Sequence, residues 1–250
     1  MIFDVSDEAY DRFMGRYSAR LAPAFADFAG VAEGQRTVDV GAGTGALAAE
    51  LARRGEAAAA EPSPRFAAAL RRRHPALDVR EAPAEALPWP DASFDAALAQ
   101  LVVSFVADAA AAVREMRRVV RRGGVVALCM WQEDGLELAG PLRAARQAAM
   151  PDGPAPRPLP YRSEGELRDL LAGADLHDLA TAQLEVQSEY ASFDEFWEAA
   201  LAAVGPDTFW LRELEPERQA AARAAAYDAL GEPDGRFVLR GRACAARGVV

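Results

Sequence analysis

The run Thr37-Val38-Asp39-Val40-Gly41-Ala42-Gly43-Thr44-Gly45-Ala46-Leu47 constrains this chain more than any other stretch, because it reads as a buried strand ending in a glycine loop that opens a helix. Glycines at alternate positions permit a tight turn and bring backbone within contact of a ligand where a Cβ would block it. The unpaired N–H groups of the following helix point to the same spot and favour a polar or anionic ligand group. The loop is therefore a candidate cradle for a nucleoside cofactor. Gly41, Gly43 and Ala46 also fit the spacing of a nicotinamide or flavin loop. Asp39 favours a different ligand, since a carboxylate inside the strand would lie near a dinucleotide's pyrophosphate but would attract an ammonium or sulfonium cation.

Alanines 57 to 60 form an apolar run ending at Glu61-Pro62, which reads as a second strand. Its terminal carboxylate can accept hydrogen bonds from both hydroxyls of a ribose, a role common to both cofactor readings.

The next segment, Ala84-Glu85-Ala86-Leu87-Pro88-Trp89-Pro90-Asp91-Ala92-Ser93-Phe94-Asp95-Ala96-Ala97-Leu98, discriminates between them. With VDVGAGTG and EPSPRF ahead of it and MRRVVRRGG at 116–124 behind, it resembles the class I S-adenosylmethionine-dependent methyltransferases of the small bacterial methyltransferase-domain group. The resemblance covers about residues 36–131, and YDRFMGRYSARLAPAF at 10–25 is similar to the group's N-terminal segment. It implies that Gly41, Ala42, Gly43 and Gly45 pass under the methionine and ribose, with Asp39 assisting the amino group. It also implies that Glu61 holds the ribose hydroxyls, that Pro62 and Phe66 pack beside the adenine, and that Ala84 and Glu85 line the adenine edge. Gln100 and Leu101 then lie beneath the cofactor, while Tyr10 and Arg16 close over its methionine end, where a guanidinium can pair with the carboxylate. The chain departs from the pattern at Pro83, where many relatives carry an Asp, and at Arg122-Gly123-Gly124, which replaces a Pro-Gly-Gly turn.

Composition narrows the classes further. The 250 residues suit one large domain or two small ones, and 51% hydrophobic content is ample for a core. A formal net charge of −10 argues against nucleic acid as substrate. All basic residues are arginine, which excludes Schiff-base and phosphate-loop lysine chemistry. Cys129 and Cys244 sit in apolar runs and read as buried thiols, and neither these nor His74 and His177 have metal-ligand spacing, so no metal is expected. The opening MIFDVSDEAY lacks signal-peptide features and no run reaches membrane-spanning length, so a cytoplasmic protein acting on small molecules, as monomer or homodimer, is expected.

Strands near 37–41, 56–61, 77–80, 94–99 and 125–131 alternate with helices, which predicts an α/β Rossmann-like doubly wound sheet. Runs at 176–190 and 236–247 complete about seven strands, mostly parallel with an antiparallel last strand. We expect a single domain: N-terminal lid helices over 1–35, a cofactor core over 36–131, sheet completion over 132–190 and 232–250, and a helical insertion over 191–231. Residues 7–29 read as entry helices, Asp108 caps a helix running to Arg121, and Ser163 with Glu166 caps one ending near Gly173. Pro151 to Pro160 is a proline-rich loop. Within the insertion, Ser192 with Glu195 caps one helix, and a second runs from Pro216 to Leu230 and stops at Gly231.

The insertion carries Phe193, Phe196, Trp197, Phe209 and Trp210, rings that serve either as its own core or as an apolar lid over a hydrophobic or aromatic acceptor. Ser104, Trp131, Trp197 and Trp210 are the candidate acceptor-binding residues. The implied reaction is methyl transfer to a small-molecule acceptor, which needs no fixed general base, and no convincing base stands out in the sequence. Two alternatives remain at this level: a nucleotide-dependent oxidoreductase, and a non-catalytic module that binds S-adenosylmethionine.

Overall fold

The computed structural model describes residues 6–153, 158–202 and 208–250, with the side chain of Phe209 outside the described set. The first five residues and the middle of the proline-rich loop, 154–157, lie outside it too. Strands β1 (Arg36–Val40), β2 (Glu56–Ala60), β3 (Asp78–Arg80), β4 (Phe94–Gln100), β5 (Val120–Leu136), β6 (His177–Tyr190) and β7 (Phe237–Val249) form one sheet. Their order is β3-β2-β1-β4-β5-β7-β6, parallel from β3 through β5 and antiparallel in the last strands. The Rossmann-like sheet expected from the alternating pattern is the one observed.

The helices are α1 (Asp7–Tyr10), α2 (Arg16–Ala29), α3 (Ala46–Arg54), α4 (Pro64–Arg73), α5 (Ala109–Val119), α6 (Ala139–Ala149), α7 (Glu164–Ala172), α8 (Phe193–Leu201) and α9 (Pro216–Ala229). A π-helical turn, Asp11–Gly15, joins α1 to α2, and a 3-10 turn, Phe209–Glu213, precedes α9. Among the described residues no helix is long and apolar enough to cross a membrane.

Two compact units divide the chain. The glycine-loop unit comprises Ser18–Glu133, Leu159–Glu185 and Arg242–Val250; the insertion unit comprises Met1–Tyr17, Asp134–Pro158 and Val186–Gly241. The boundary falls inside β5, β6 and β7.

Within the glycine-loop unit, strand alternation separates two faces. Val38 and Val40 of β1, Ala97 and Ala99 of β4, and Val126 and Leu128 of β5 share a core with Ala112, Val113 and Met116 of α5 and Leu167 and Leu171 of α7. The opposite parity places Thr37 and Asp39 of β1, Leu98 and Gln100 of β4, and Cys129 of β5 on the other face. Period 2 thus sends the apolar residues under helices and collects the polar ones on a single side.

Local chemistry fixes the ends of the elements. Asp108 caps α5 by accepting the Ala111 N–H at 2.9 Å, and Arg117 and Arg118 occupy its last turn, where cations suit the helix dipole. The helix ends at Val119 and not at Arg121, because Val120 already pairs with Phe94 as the first residue of β5. The Arg122-Gly123-Gly124 turn is absorbed into that long strand as an irregularity: Phe94 opposes Val120 but Ala96 opposes Val125. Gly123, with φ 74°, donates its N–H to the Val250 carbonyl at 2.8 Å, and a Cβ on Gly124 would lie 2.4 Å from the Asp95 carbonyl oxygen. The serines at 163 and 192 cap α7 and α8 as their spacing predicts, and Gly231 with φ 76° follows α9.

Replacing the α5 cap, Asp108→Ala, should lower unfolding free energy by about 1 kcal/mol through one lost N-terminal hydrogen bond. Urea denaturation with an unchanged m-value would register the loss, whereas an unaltered midpoint would show that the carboxylate contributes nothing to the helix.

Candidate functional site

Three glycines build the loop after β1, and each is needed for a different reason. All have positive φ: 77° at Gly41, 56° at Gly43 and 96° at Gly45. A Cβ on Gly41 would come within 2.6 Å of the Val102 side chain, and one on Gly45 within 2.2 Å of Leu70 Cδ1, so these two serve close packing inside the protein. A Cβ on Gly43 would meet nothing within 4 Å. Of the three, it alone faces open space, as a residue lying against a ligand must. The Gly41 and Ala42 N–H groups both bond the Ala60 carbonyl, at 2.8 and 3.1 Å, which folds the loop back over the end of β2.

Glu61 stands directly after β2 and is 6% exposed. One carboxylate oxygen accepts the Gly43 N–H and the other the Ser63 N–H, each at 2.8 Å. An ionised carboxylate has about four acceptor positions, so two remain for further donors, the number a ribose diol supplies. Burial raises the pKa of this carboxyl, and the Ser63 and Gly43 N–H groups pull against that rise.

Asp39 is 1% exposed. The Ala48 N–H, in the first turn of α3, reaches its carboxyl group, while Oδ2 has no hydrogen-bond partner. Burial pushes its pKa up to about 8, opposed by the Ala48 N–H and reinforced by the negative charge of Glu61. Thr37 Oγ1 and Gln100 Oε1, on the same face, are also buried without partners, although Gln100 Nε2 donates to the Ser18 carbonyl at 3.1 Å. Thr37 was absent from the sequence candidates; the signal for it was a second polar residue two positions before Asp39 in a buried strand. These orphaned acceptors fit a ligand that brings its own donors, such as an ammonium.

The loop after β4 shapes the floor. Leu101 has φ 65°, a left-handed conformation rare for leucine, and its N–H bonds the Cys129 carbonyl at 2.8 Å. That twist delivers Val102 under Gly41.

Other expected residues fall as follows. Phe66 is buried in α4 and Pro62 is exposed. Ala84 is buried beside a turn in which the Ala86 N–H bonds the Pro83 carbonyl. The Glu85 carboxylate is committed to the start of α5, accepting the Ala107 and Asp108 N–H groups at 2.8 and 3.2 Å, so its side chain has a structural task at the adenine-edge position. The Ser104 hydroxyl donates to the Pro160 carbonyl, and Trp131 is buried in β5. His74 ends α4, and His177 is exposed at the start of β6.

The insertion unit holds the remaining candidates. Arg16 donates to Glu195 and to the Glu189 carbonyl, each at 2.8 Å, and stacks 4.0 Å over the Tyr190 ring. Tyr10 ends α1 and is half-buried. Trp197 and Trp210 are each only 5% exposed. Phe193 stacks on Trp197, meets Phe196 at 6.0 Å and takes Tyr227 edge-on at 5.0 Å, while Arg146 lies over Trp210. Phe193, Phe196 and Trp197 therefore pack within the insertion unit's own core, the first of the two roles that their helical spacing leaves open, and Trp210 is buried beside Arg146.

The comparisons with known proteins agree with this geometry. The family described as "Methyltransferase domain" matches residues 38–128, from β1 into β5. An uncharacterized protein of Mycobacterium tuberculosis is 33% identical over 122 residues, 47% of this chain and 44% of its own length. A demethylmenaquinone methyltransferase of Beutenbergia cavernae is 34% identical over 123 residues, 49% of this chain and 50% of that one. The chain therefore spans about half the length of the curated relatives it matches. The solved structure of an S-adenosylmethionine-dependent methyltransferase from Thermotoga maritima aligns over 97% of this chain and 98% of its own, with a TM-score of 0.53 at 21% identity, a likeness of fold.

The buried acids make ligand-free stability depend on pH. Asp39 keeps its proton in the fold up to about pH 8, whereas the same carboxyl loses it near 3.8 when unfolded. The unfolded chain therefore binds fewer protons in this window, and stability falls as pH rises through it. Denaturation midpoints should drop between about pH 5 and pH 8, and Asp39→Asn should flatten that decline. A wild-type midpoint that climbs over the same range would contradict the neutral, buried Asp39.

Proposed function

We propose that this chain, whose residues 38–128 match the family described as "Methyltransferase domain", transfers a methyl group from S-adenosylmethionine to a small-molecule acceptor. The observation that carries this reading is the pairing of Gly43, whose Cβ direction is open, with the buried Glu61 carboxylate that accepts its N–H. A glycine that leaves room and a carboxylate with spare acceptor capacity suit a ribose seated between them. Asp39 and Gln100 supply buried acceptors for the amino end, and Leu101 with Val102 fixes the floor.

When bound, S-adenosylmethionine supplies a sulfonium methyl group that is electrophilic without further activation. The protein's task is then to hold the two reactants in line and keep water away, which accounts for a large part of such a rate enhancement. Asp39 and Glu61, the two buried acids beside the glycine loop, are assigned to binding in this reading, so an acceptor that is already nucleophilic suits the site. The rings of the insertion suit an acceptor that is apolar or aromatic, and the net charge of −10 favours small molecules over nucleic acid.

Glu61→Ala should weaken S-adenosylmethionine binding by about 1.5 to 3 kcal/mol, because charge-assisted hydrogen bonds are lost. Gly43→Val should abolish measurable binding, since the new side chain enters ligand space and resists the positive φ of the loop, with circular dichroism run beside it to show that the chain remains folded. Calorimetric titration reads both variants, and release of S-adenosylhomocysteine across a panel of small nucleophilic acceptors reads turnover. Wild-type affinity in both variants would refute the cradle. Tight binding without turnover on any acceptor would point to a binding module.

A further inference from the structure

Asp39 presents a problem of charge. It lies inside β1 at 1% exposure, with Oδ2 unpartnered, and among the described residues no ion pair involves it. The chain contains no lysine, so arginine is the only side chain with a permanent positive charge. Each element packed around Asp39 contributes a group that is neutral or acidic. From β2 the facing group is the Glu61 carboxyl; from β5 it is the Cys129 thiol, itself pushed up by burial. From β4 come Leu98 and the Gln100 amide, and from α3 the Ala48 N–H. Glu50, also in α3, is engaged with Arg53 and Arg54.

A lone N–H does not offset the desolvation of a carboxylate that has one open oxygen and a second acid nearby. The ligand-free protein therefore holds Asp39 as the neutral acid at neutral pH. The situation reverses when a cation is brought against Oδ2, because an ammonium in a low-dielectric pocket strongly favours the ionised carboxylate.

We propose that seating the ligand's amino group as an ammonium beside Asp39 Oδ2 converts this residue from neutral acid to carboxylate, so that cofactor binding releases about one proton to solvent. The inference rests on the cofactor reading above and adds a linkage to it. The proton leaves Asp39, passes to buffer, and no bond to carbon is made or broken. Apparent affinity then rises with pH across the range in which free Asp39 is protonated and the ligand amine is still charged. At pH 7 both conditions hold, since burial pushes the Asp39 pKa to about 8 and an α-amino group titrates near the same value.

The test is calorimetry of S-adenosylmethionine and of S-adenosylhomocysteine at pH 7 in phosphate, HEPES and Tris, whose ionisation enthalpies differ. The slope of observed heat against buffer enthalpy counts protons. We expect release of about one proton with both ligands, since both carry the ammonium and only one the sulfonium. Asp39→Asn should bring the slope to near zero. If Asp39→Asn does not fold, the wild-type profile still decides: the dissociation constant should tighten about tenfold from pH 6 to pH 7. Binding with a flat slope and a flat profile overturns the proposal while leaving the cofactor reading intact. Release seen only with S-adenosylmethionine overturns the assignment to the ammonium, and release that survives Asp39→Asn overturns the assignment to Asp39. Absence of binding by either ligand, checked by equilibrium dialysis, overturns the cofactor reading and this linkage with it.

Discussion

The Glu61 carboxylate ties together the loop after β1, the end of β2 and the start of α4. One oxygen holds the Gly43 N–H in the loop after β1, the other holds the Ser63 N–H at the cap of α4, and the residue itself extends β2, its own N–H bonded to the Arg80 carbonyl at 3.0 Å. Ser63 in turn caps α4 through the Phe66 N–H. A single buried acid therefore sets the height of the glycine loop and the starting point of a helix. It does so while keeping half its acceptor capacity unused, which a purely structural residue at 6% exposure has no need to do.

The packing beneath this contact explains why the site is rigid. Gly41 lies on Val102 and Gly45 on Leu70, so the loop is pressed from below at both ends and open only at its middle glycine. The left-handed Leu101 is the conformational cost of placing Val102 there, and a core of α5 and α7 against the far face of the sheet holds β4 and β5 where that twist begins. Polar residues of the near face follow from strand alternation: once Val38 and Val40 are buried under α5, Thr37 and Asp39 must face the loop side.

Much of this was legible in the sequence because short-range rules dictate it. Alternation fixed the faces of β1, glycine spacing fixed the loop, and serine followed three residues later by glutamate marked the starts of α7 and α8. Glu61 and Asp39 were identifiable as polar residues in otherwise apolar strands. Long-range commitments were not readable. Nothing local says that the Glu85 carboxylate turns to the start of α5, that Arg16 pairs with Glu195 across 179 positions, or that Phe193, Phe196, Trp197 and Tyr227 close on one another. Helical periodicity is the same for a ring in a core and a ring over a ligand, so tertiary contacts alone separate the two.

A crystal structure with S-adenosylhomocysteine soaked or grown in would test the cradle most directly. The account predicts both ribose hydroxyls on the free acceptor positions of Glu61, the Cα of Gly43 in contact with the ligand, and the amino group on the Asp39 side of the loop. Density for the ligand elsewhere, with Glu61 still bonded to Gly43 and Ser63 alone, would contradict it.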